Sequence, residues 1–282
     1  MDYENTVMPI GLLLRKSSLG KVSRSCIFYD FFLIDTMMKH QKNRYISGNF
    51  KLQKMESTNK LVVYATDSEK AEFYKKTYMH IGLAILAFMG LEAVLLNIVT
   101  PQSIGNFLNV KFIGLFMIGM LWLGSMVSNK LAFSLSRSQQ YLGLGLYVVI
   151  EALIFLPILT IASFKTGTEI ISQAAIITLF MFGGLTAVVF NTKADFSFLR
   201  SALIIGGFIS LGLIVGGYIF GYNLGLWFSV GMVILASGSI LYQTGQIKEN
   251  YGTQQYVGAA LQLFASVMLL FFYILRILMS RK

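Results

Sequence analysis

The sequence predicts an all-α membrane protein with seven transmembrane helices. Of its 282 residues, 55% are hydrophobic and 13% are charged, against about 25% charged in a typical soluble domain. Its mean hydropathy is +0.66. The apolar residues are gathered in long stretches that short polar connectors separate. This composition excludes an ordinary soluble enzyme, because one domain of this length cannot bury so much apolar surface.

Each apolar stretch has close to the number of residues that a helix needs to cross about 30 Å of hydrocarbon. Strands of a membrane barrel would instead show about ten residues of alternating polarity. Backbone groups in lipid must also pair within the segment, which favours helices. We therefore expect spanning helices at 78–99, 110–128, 141–162, 170–190, 201–221, 224–242 and 255–278.

Residues 1–76 are predicted to form a basic cytoplasmic region ahead of a transmembrane domain at 77–282. The apolar island at 27–38 is interrupted by Asp30 and Asp35, so it is too short and too charged to span. Two interpretations remain for 1–54: an extension that lies on the membrane surface, or a start codon assigned too early. We favour Met55 as the start, because a polar leader into the first span begins there.

Basic residues near the span ends predict the orientation, since cytoplasmic loops carry an excess of Lys and Arg. The opposite loops hold only Lys111 and Lys165. We therefore expect a multi-pass protein of the inner (plasma) membrane with a cytoplasmic N-terminus. Seven crossings place the basic C-terminus outside, unless the last segment is re-entrant. The basic residues on the N-terminal side are Lys75, Lys76, Lys130, Arg137, Lys193, Arg200 and Lys248.

Few residues are available for catalysis or metal binding. The sequence has one cysteine, Cys26, and two histidines, His40 and His80. It contains no phosphate-binding loop, nucleophile triad or zinc motif. We expect no enzymatic activity and no resident cofactor, and the net charge of +10 fits cytoplasmic loops better than nucleic acid.

Glycine positions suggest close helix packing, since small residues let helices approach in lipid. Gly183 and Gly184 lie in the fourth predicted span, and Gly206, Gly212 and others lie in the fifth.

Two carboxylates lie within predicted spans: Glu92 in the first and Glu151 in the third. An ionisable residue at membrane depth is costly and marks a cavity, relay or ion path by default. Tyr147 precedes Glu151 by one helical turn, so its phenol is in reach of the carboxyl group. The alternative is a protonated acid bonded to Tyr147 or to a neighbouring helix. Two carboxylates with carbonyls and water would suit a weak, transient calcium site.

Several segments carry recognisable motifs. The first is GLTAVVFNTKADFSFL at 184–199, the junction of the fourth and fifth spans, and the others are YKKTY at 74–78, Pro157 late in the third span, YQTGQI at 242–247 and AALQLF at 259–264. These segments resemble the Bax inhibitor-1 family, with the bacterial YccA-like branch the most similar. Together the similarity covers about 70–282. The motif residues at the junction are Thr192, Lys193, Asp195, Phe196 and Ser197, and we expect Asp195 or Ser197 to cap the fifth spanning helix.

The resemblance implies six helices around a central last helix. It also implies an aspartate pair, joining the sixth and last spans, that shares a proton and acts as a pH latch in channel-type members. In this sequence Gln243 and Ser266 occupy those positions. A Gln–Ser pair can hydrogen-bond, but neither side chain titrates. The latch of the family is therefore expected to be absent.

Two functions follow as hypotheses from these observations. Family members are described as calcium leak channels, which suggests a low-flux cation path lined by Glu151 and Glu92. Others modulate membrane proteolysis or cell death, which suggests a non-conducting regulator that binds a membrane protease or another integral protein. In both cases the lipid bilayer surrounds the chain.

Overall fold

The computed structural model describes residues 60–108, 113–192, 194–221 and 224–281. The predictions for 1–54, the Met55 start and Lys193 fall outside these residues. The described part contains eight α-helices. They are α1 Asp67–Ile98, α2 Pro101–Leu108, α3 Ile113–Ala132, α4 Arg137–Thr166, α5 Thr168–Asn191, α6 Leu199–Phe220, α7 Gly225–Glu249 and α8 Tyr256–Met279.

Six of the described helices are long and apolar enough to cross a membrane: α1, α4, α5, α6, α7 and α8. They cover six of the seven predicted spans. The remaining predicted span, 110–128, overlaps α3. The chain is thus a multi-span membrane protein, and the seven-crossing arrangement stays a prediction.

Two helices begin at positions that the sequence analysis did not predict. A capping box starts α1 at Asp67, within the expected polar leader: the Glu69 amide donates to the Thr66 hydroxyl, and the Thr66 amide donates to the Glu69 carboxylate at 2.7 Å. The connector after α1 folds into the short helix α2, whose first residue is Pro101. Proline suits the first helical position, because the amide it lacks would have no partner there.

The last helix, α8, is the most buried of the six candidate spans. Of its most apolar window, 67% is buried, compared with 11% for α6. It packs against α1, α3, α4, α5 and α7, whereas α6 packs mainly against α7. This burial agrees with the central position that the family resemblance implies for the last helix.

The polar segment before α1 is held against the turn between α7 and α8. The Val62 amide donates to the Tyr251 carbonyl, and the Thr253 amide donates to the Lys60 carbonyl, both at 2.9 Å. The Val62 side chain is fully buried. The polar segment before α1 therefore packs against one end of the helical bundle.

One glycine singled out from the sequence lies at a close helix contact, because a Cβ on Gly206 would lie 2.5 Å from the Leu235 side chain of α7. A Cβ atom on Gly183, Gly184 or Gly212 would meet no other heavy atom within 4 Å, so the packing expected there is not found within the described chain. The close approach to backbone atoms of another helix is at Gly143, where a Cβ would lie 2.6 Å from both the Ala132 amide nitrogen and the Ser128 carbonyl oxygen. Only glycine lets α4 lie this close to the backbone of α3.

We predict that Gly143→Ala destabilises the protein by about 1–3 kcal/mol, because the new methyl group meets backbone that cannot move aside. The thermal unfolding midpoint of the detergent-solubilised protein measures this. Gly145→Ala is the matched control, since its Cβ would face open space in the same helix. The control should unfold at the wild-type temperature or above it, because alanine favours helix. Equal midpoints for the two variants would contradict the close α3–α4 contact.

Candidate functional site

Glu151 lies in the middle of α4 and points into the bundle. Only 5% of its surface is exposed. The Tyr147 phenol, one turn earlier, hydrogen-bonds its carboxyl group, as the spacing predicted. The ring of Tyr147 in turn packs edge-on against Phe264 of α8, with centroids 6.1 Å apart. This contact orients the tyrosine, and through it the carboxyl group, toward the protein interior.

Glu92 lies in α1 and is equally buried, with 4% of its surface exposed. Neither of its carboxyl oxygens has a hydrogen-bond partner among the described residues. An unpaired carboxyl group in an apolar interior is costly. It therefore needs a proton, a water molecule or a cation as its partner.

Helices α1 and α4 pack side by side and run in the same direction. The His80 ring stacks on Tyr141 with centroids 5.5 Å apart, and farther along both helices Phe88 meets Phe155 at 5.3 Å. From the first contact to the second, the residue number increases in both α1 and α4, so the two helices are parallel. The two glutamates therefore lie in one packed pair of helices.

A layer of aromatic rings separates the two glutamates along that pair. Glu151 lies one turn before Phe155, while Glu92 lies one turn after Phe88, so the carboxyl groups are on opposite sides of this contact. Phe155 also stacks on Phe271 of α8 at 5.6 Å and meets Phe272 edge-on at 5.7 Å. We call Phe88, Phe155, Phe271 and Phe272 the aromatic layer. The sequence analysis missed it, although a Phe lies four residues from each glutamate.

The two positions that replace the aspartate pair do not bond to each other. The Ser266 hydroxyl shares a hydrogen bond with the Ser239 hydroxyl at 2.8 Å and donates to the Gln262 carbonyl at 3.2 Å. The Oε1 atom of Gln243 has no partner among the described residues. Among the described residues, a hydrogen bond between Ser239 and Ser266 therefore joins α7 to α8, one turn away from Gln243.

The motif at the α5–α6 junction is held by a lysine that the sequence analysis treated only as a topology marker. The Lys248 ammonium group donates to the Val189 carbonyl at 2.8 Å and to the Thr192 carbonyl at 3.4 Å. These are carbonyls at the end of α5 that have no partner within the helix. Phe196 packs beside Gly245 of α7, where a Cβ would lie 3.7 Å from the Phe196 Cβ. The junction thus docks on α7.

The capping role expected of Asp195 or Ser197 is wrong. Helix α6 begins at Leu199, and its N-cap residue, Phe198, makes no side-chain cap. Instead, Asp195 accepts the Ser197 amide at 2.8 Å in a turn before the helix. Hydrogen bonds from the hydroxyl and the amide of Ser197 hold the pKa of the Asp195 carboxyl below its usual range. Both residues shape the junction rather than cap α6.

The described residues contain no group of three or more His, Cys, Asp or Glu side chains that could hold a metal ion. Any cation near Glu151 or Glu92 would therefore be bound by one carboxyl group with neutral oxygens or water, which gives weak binding.

Comparison with known proteins places this chain in a family. Residues 70–282 match the family model described as Inhibitor of apoptosis-promoting Bax1. A protein of Pseudomonas aeruginosa, named Uncharacterized protein PA2604, is 30% identical over 215 residues, which cover 76% of this chain and 91% of that protein. The family match runs from the first turn of α1 to residue 282, so the chain belongs to the Bax inhibitor-1 family.

Proposed function

We propose that this protein conducts cations, calcium among them, at low flux along a path lined by Glu151 and Glu92. The observation that carries the proposal is the pair of buried carboxyl groups on the parallel helices α1 and α4, of which the Glu92 carboxyl has no partner among the described residues. Carboxylates at membrane depth are costly, and they are typical of ion pathways. Calcium prefers several oxygen ligands, and a site with one carboxylate and water releases the ion quickly.

The proposal includes a topology. The protein crosses the inner membrane seven times, with α3 as the second crossing and the N-terminus in the cytoplasm. Basic residues near the helix ends support this orientation. With Gln243 and Ser266 in place of the aspartate pair, protons do not gate this path through those positions.

In the proposed mechanism, the aromatic layer is the barrier along the path. Its rings lie between the levels of Glu151 and Glu92, where a hydrated cation would have to pass. Constrictions of apolar side chains exclude water and thereby stop ions. Conduction therefore requires Phe155 and its neighbours to move apart, which accounts for a low flux.

A second candidate function is a non-conducting regulator that binds a membrane protease or another integral protein. Helix α6 favours it, because only 11% of its apolar window is buried within the chain. Gly212 on this helix faces open space and would admit another helix closely. Cross-linking from α6 in native membranes should then recover the same protein repeatedly, and recovery of no reproducible partner would reject this function.

We predict that Glu151→Gln lowers calcium efflux from proteoliposomes by roughly tenfold, because removing the charge raises the barrier by about 1.4 kcal/mol. Glu169→Gln is the matched control, since Glu169 is an exposed carboxylate in the first turn of α5. Unfolding midpoints would establish that both variants are folded. Equal efflux from the wild type and Glu151→Gln would remove this residue from the mechanism.

We predict that Phe155→Leu raises calcium efflux, because the smaller side chain opens the aromatic layer to water. Phe164→Leu in the same helix serves as the control, since 70% of the Phe164 side chain is exposed, and its efflux should not change. The measurement is again calcium efflux from proteoliposomes. An efflux from Phe155→Leu at or below the wild-type level would show that the rings are not the barrier.

A further inference from the structure

One outer face of α4 carries a shallow, open groove that runs from the N-terminal end of the helix toward its middle. The groove is lined by Ser138, Tyr141, Leu142, Gly145 and Leu146. These positions recur every three or four residues and therefore form one face of the helix. The space in front of Gly145 is open, because a Cβ there would meet no other heavy atom within 4 Å.

The polar end of this groove is basic. Arg137 lies one turn before Tyr141, and its guanidinium group is 4.6 Å from the centre of the Tyr256 ring. Its hydrogen bonds go to neutral oxygens: the side chain of Gln140 at 2.9 Å, and the carbonyl and side chain of Gln254. None of the described carboxylates pairs with Arg137. Its positive charge is therefore not compensated by the described part of the chain.

Neighbouring side chains fix the geometry at this end of the groove. The Lys76 ammonium group lies 5.4 Å from the centre of the same Tyr256 ring, although it also pairs with Glu72 at 2.6 Å. The phenol oxygens of Tyr141 and Tyr256 are 3.5 Å apart, and the His80 ring stacks on Tyr141. These contacts hold Tyr141 at the boundary between the basic end and the apolar groove.

The order of groups along α4 matches that of a phospholipid. A guanidinium and a hydroxyl, from Arg137 and Ser138, come first and are suited to a phosphate. An interfacial aromatic side chain follows at Tyr141, in the position that tyrosines favour at the membrane boundary. The apolar part, with Leu142, Gly145 and Leu146, comes last and would accommodate an acyl chain. These groups follow one another from the N-terminal end of α4 toward the centre of the membrane.

We propose that this face of α4 binds an anionic phospholipid, with its phosphate at Arg137 and Ser138 and an acyl chain in the groove beside Gly145. The uncompensated charge of Arg137 selects an anionic head group over a zwitterionic one. The groove selects a membrane lipid over a soluble phosphate. This site is distinct from the glutamates, which face the interior of the bundle.

The test is native mass spectrometry of the full-length protein in detergent with equal amounts of phosphatidylglycerol and phosphatidylcholine of the same acyl chains. The wild type should retain more phosphatidylglycerol. Arg137→Gln should weaken that retention about fivefold, as expected for the loss of one basic contact. Arg137→Lys should keep most of it, which separates lost charge from altered folding. Lys130→Gln, an exposed basic residue at the end of α3, is the matched control and should bind as the wild type does.

Gly145→Leu tests the groove without changing charge or core packing. It should lower phosphatidylglycerol retention as well, because its side chain fills the space of the acyl chain. Normal retention by Gly145→Leu would overturn the proposal, and so would normal retention by Arg137→Gln. Displacement of the lipid by glycerol 1-phosphate at equal concentration would also overturn it, because the site would then bind a free phosphate.

Discussion

The cost of placing a polar group in hydrocarbon governs this structure. Water is absent from the bilayer core, so each backbone amide and carbonyl must find a partner within the protein. Where α5 ends, the chain supplies such a partner, because the Lys248 ammonium group donates to the Val189 carbonyl. The same cost turns Glu92 and Glu151 inward, against α8 and its neighbours, rather than toward lipid.

The packing around the two inward-facing carboxyl groups determines their hydrogen-bond partners and whether an ion could pass between them. Tyr147 provides a partner for Glu151, whereas Glu92 has none among the described residues. The aromatic layer separates them, so a cation bound at one could not reach the other without a rearrangement of the rings. A rare opening of such a layer is sufficient for a leak, because the flux then depends on how often the rings part. This mechanism needs no titrating pair at Gln243 and Ser266.

The sequence predicts the helices well, because spanning a membrane imposes a length and a composition that hydropathy detects directly. It also identifies the two buried glutamates, since any charge within such a stretch is conspicuous. Contacts between helices are harder to predict. Gly143 and Gly212 look alike in the sequence, yet only Gly143 meets a neighbouring backbone, because that depends on which face of α4 turns toward α3. The capping role of Lys248 was missed for the same reason: its partners lie in α5, far away in the sequence.

The central claim is that Glu151 faces a path that water can reach, while the adjacent surface of α4 faces lipid. The most direct measurement is the reaction of single cysteines with a charged, membrane-impermeant thiol reagent in native membranes. Glu151→Cys and Leu153→Cys would each be made in a Cys26→Ser background; Leu153 lies two residues farther along α4 and is exposed on its outer surface. The account predicts that the cysteine at position 151 is labelled and that the one at 153 is not. An unreactive cysteine at 151, or equal labelling at both positions, would contradict it.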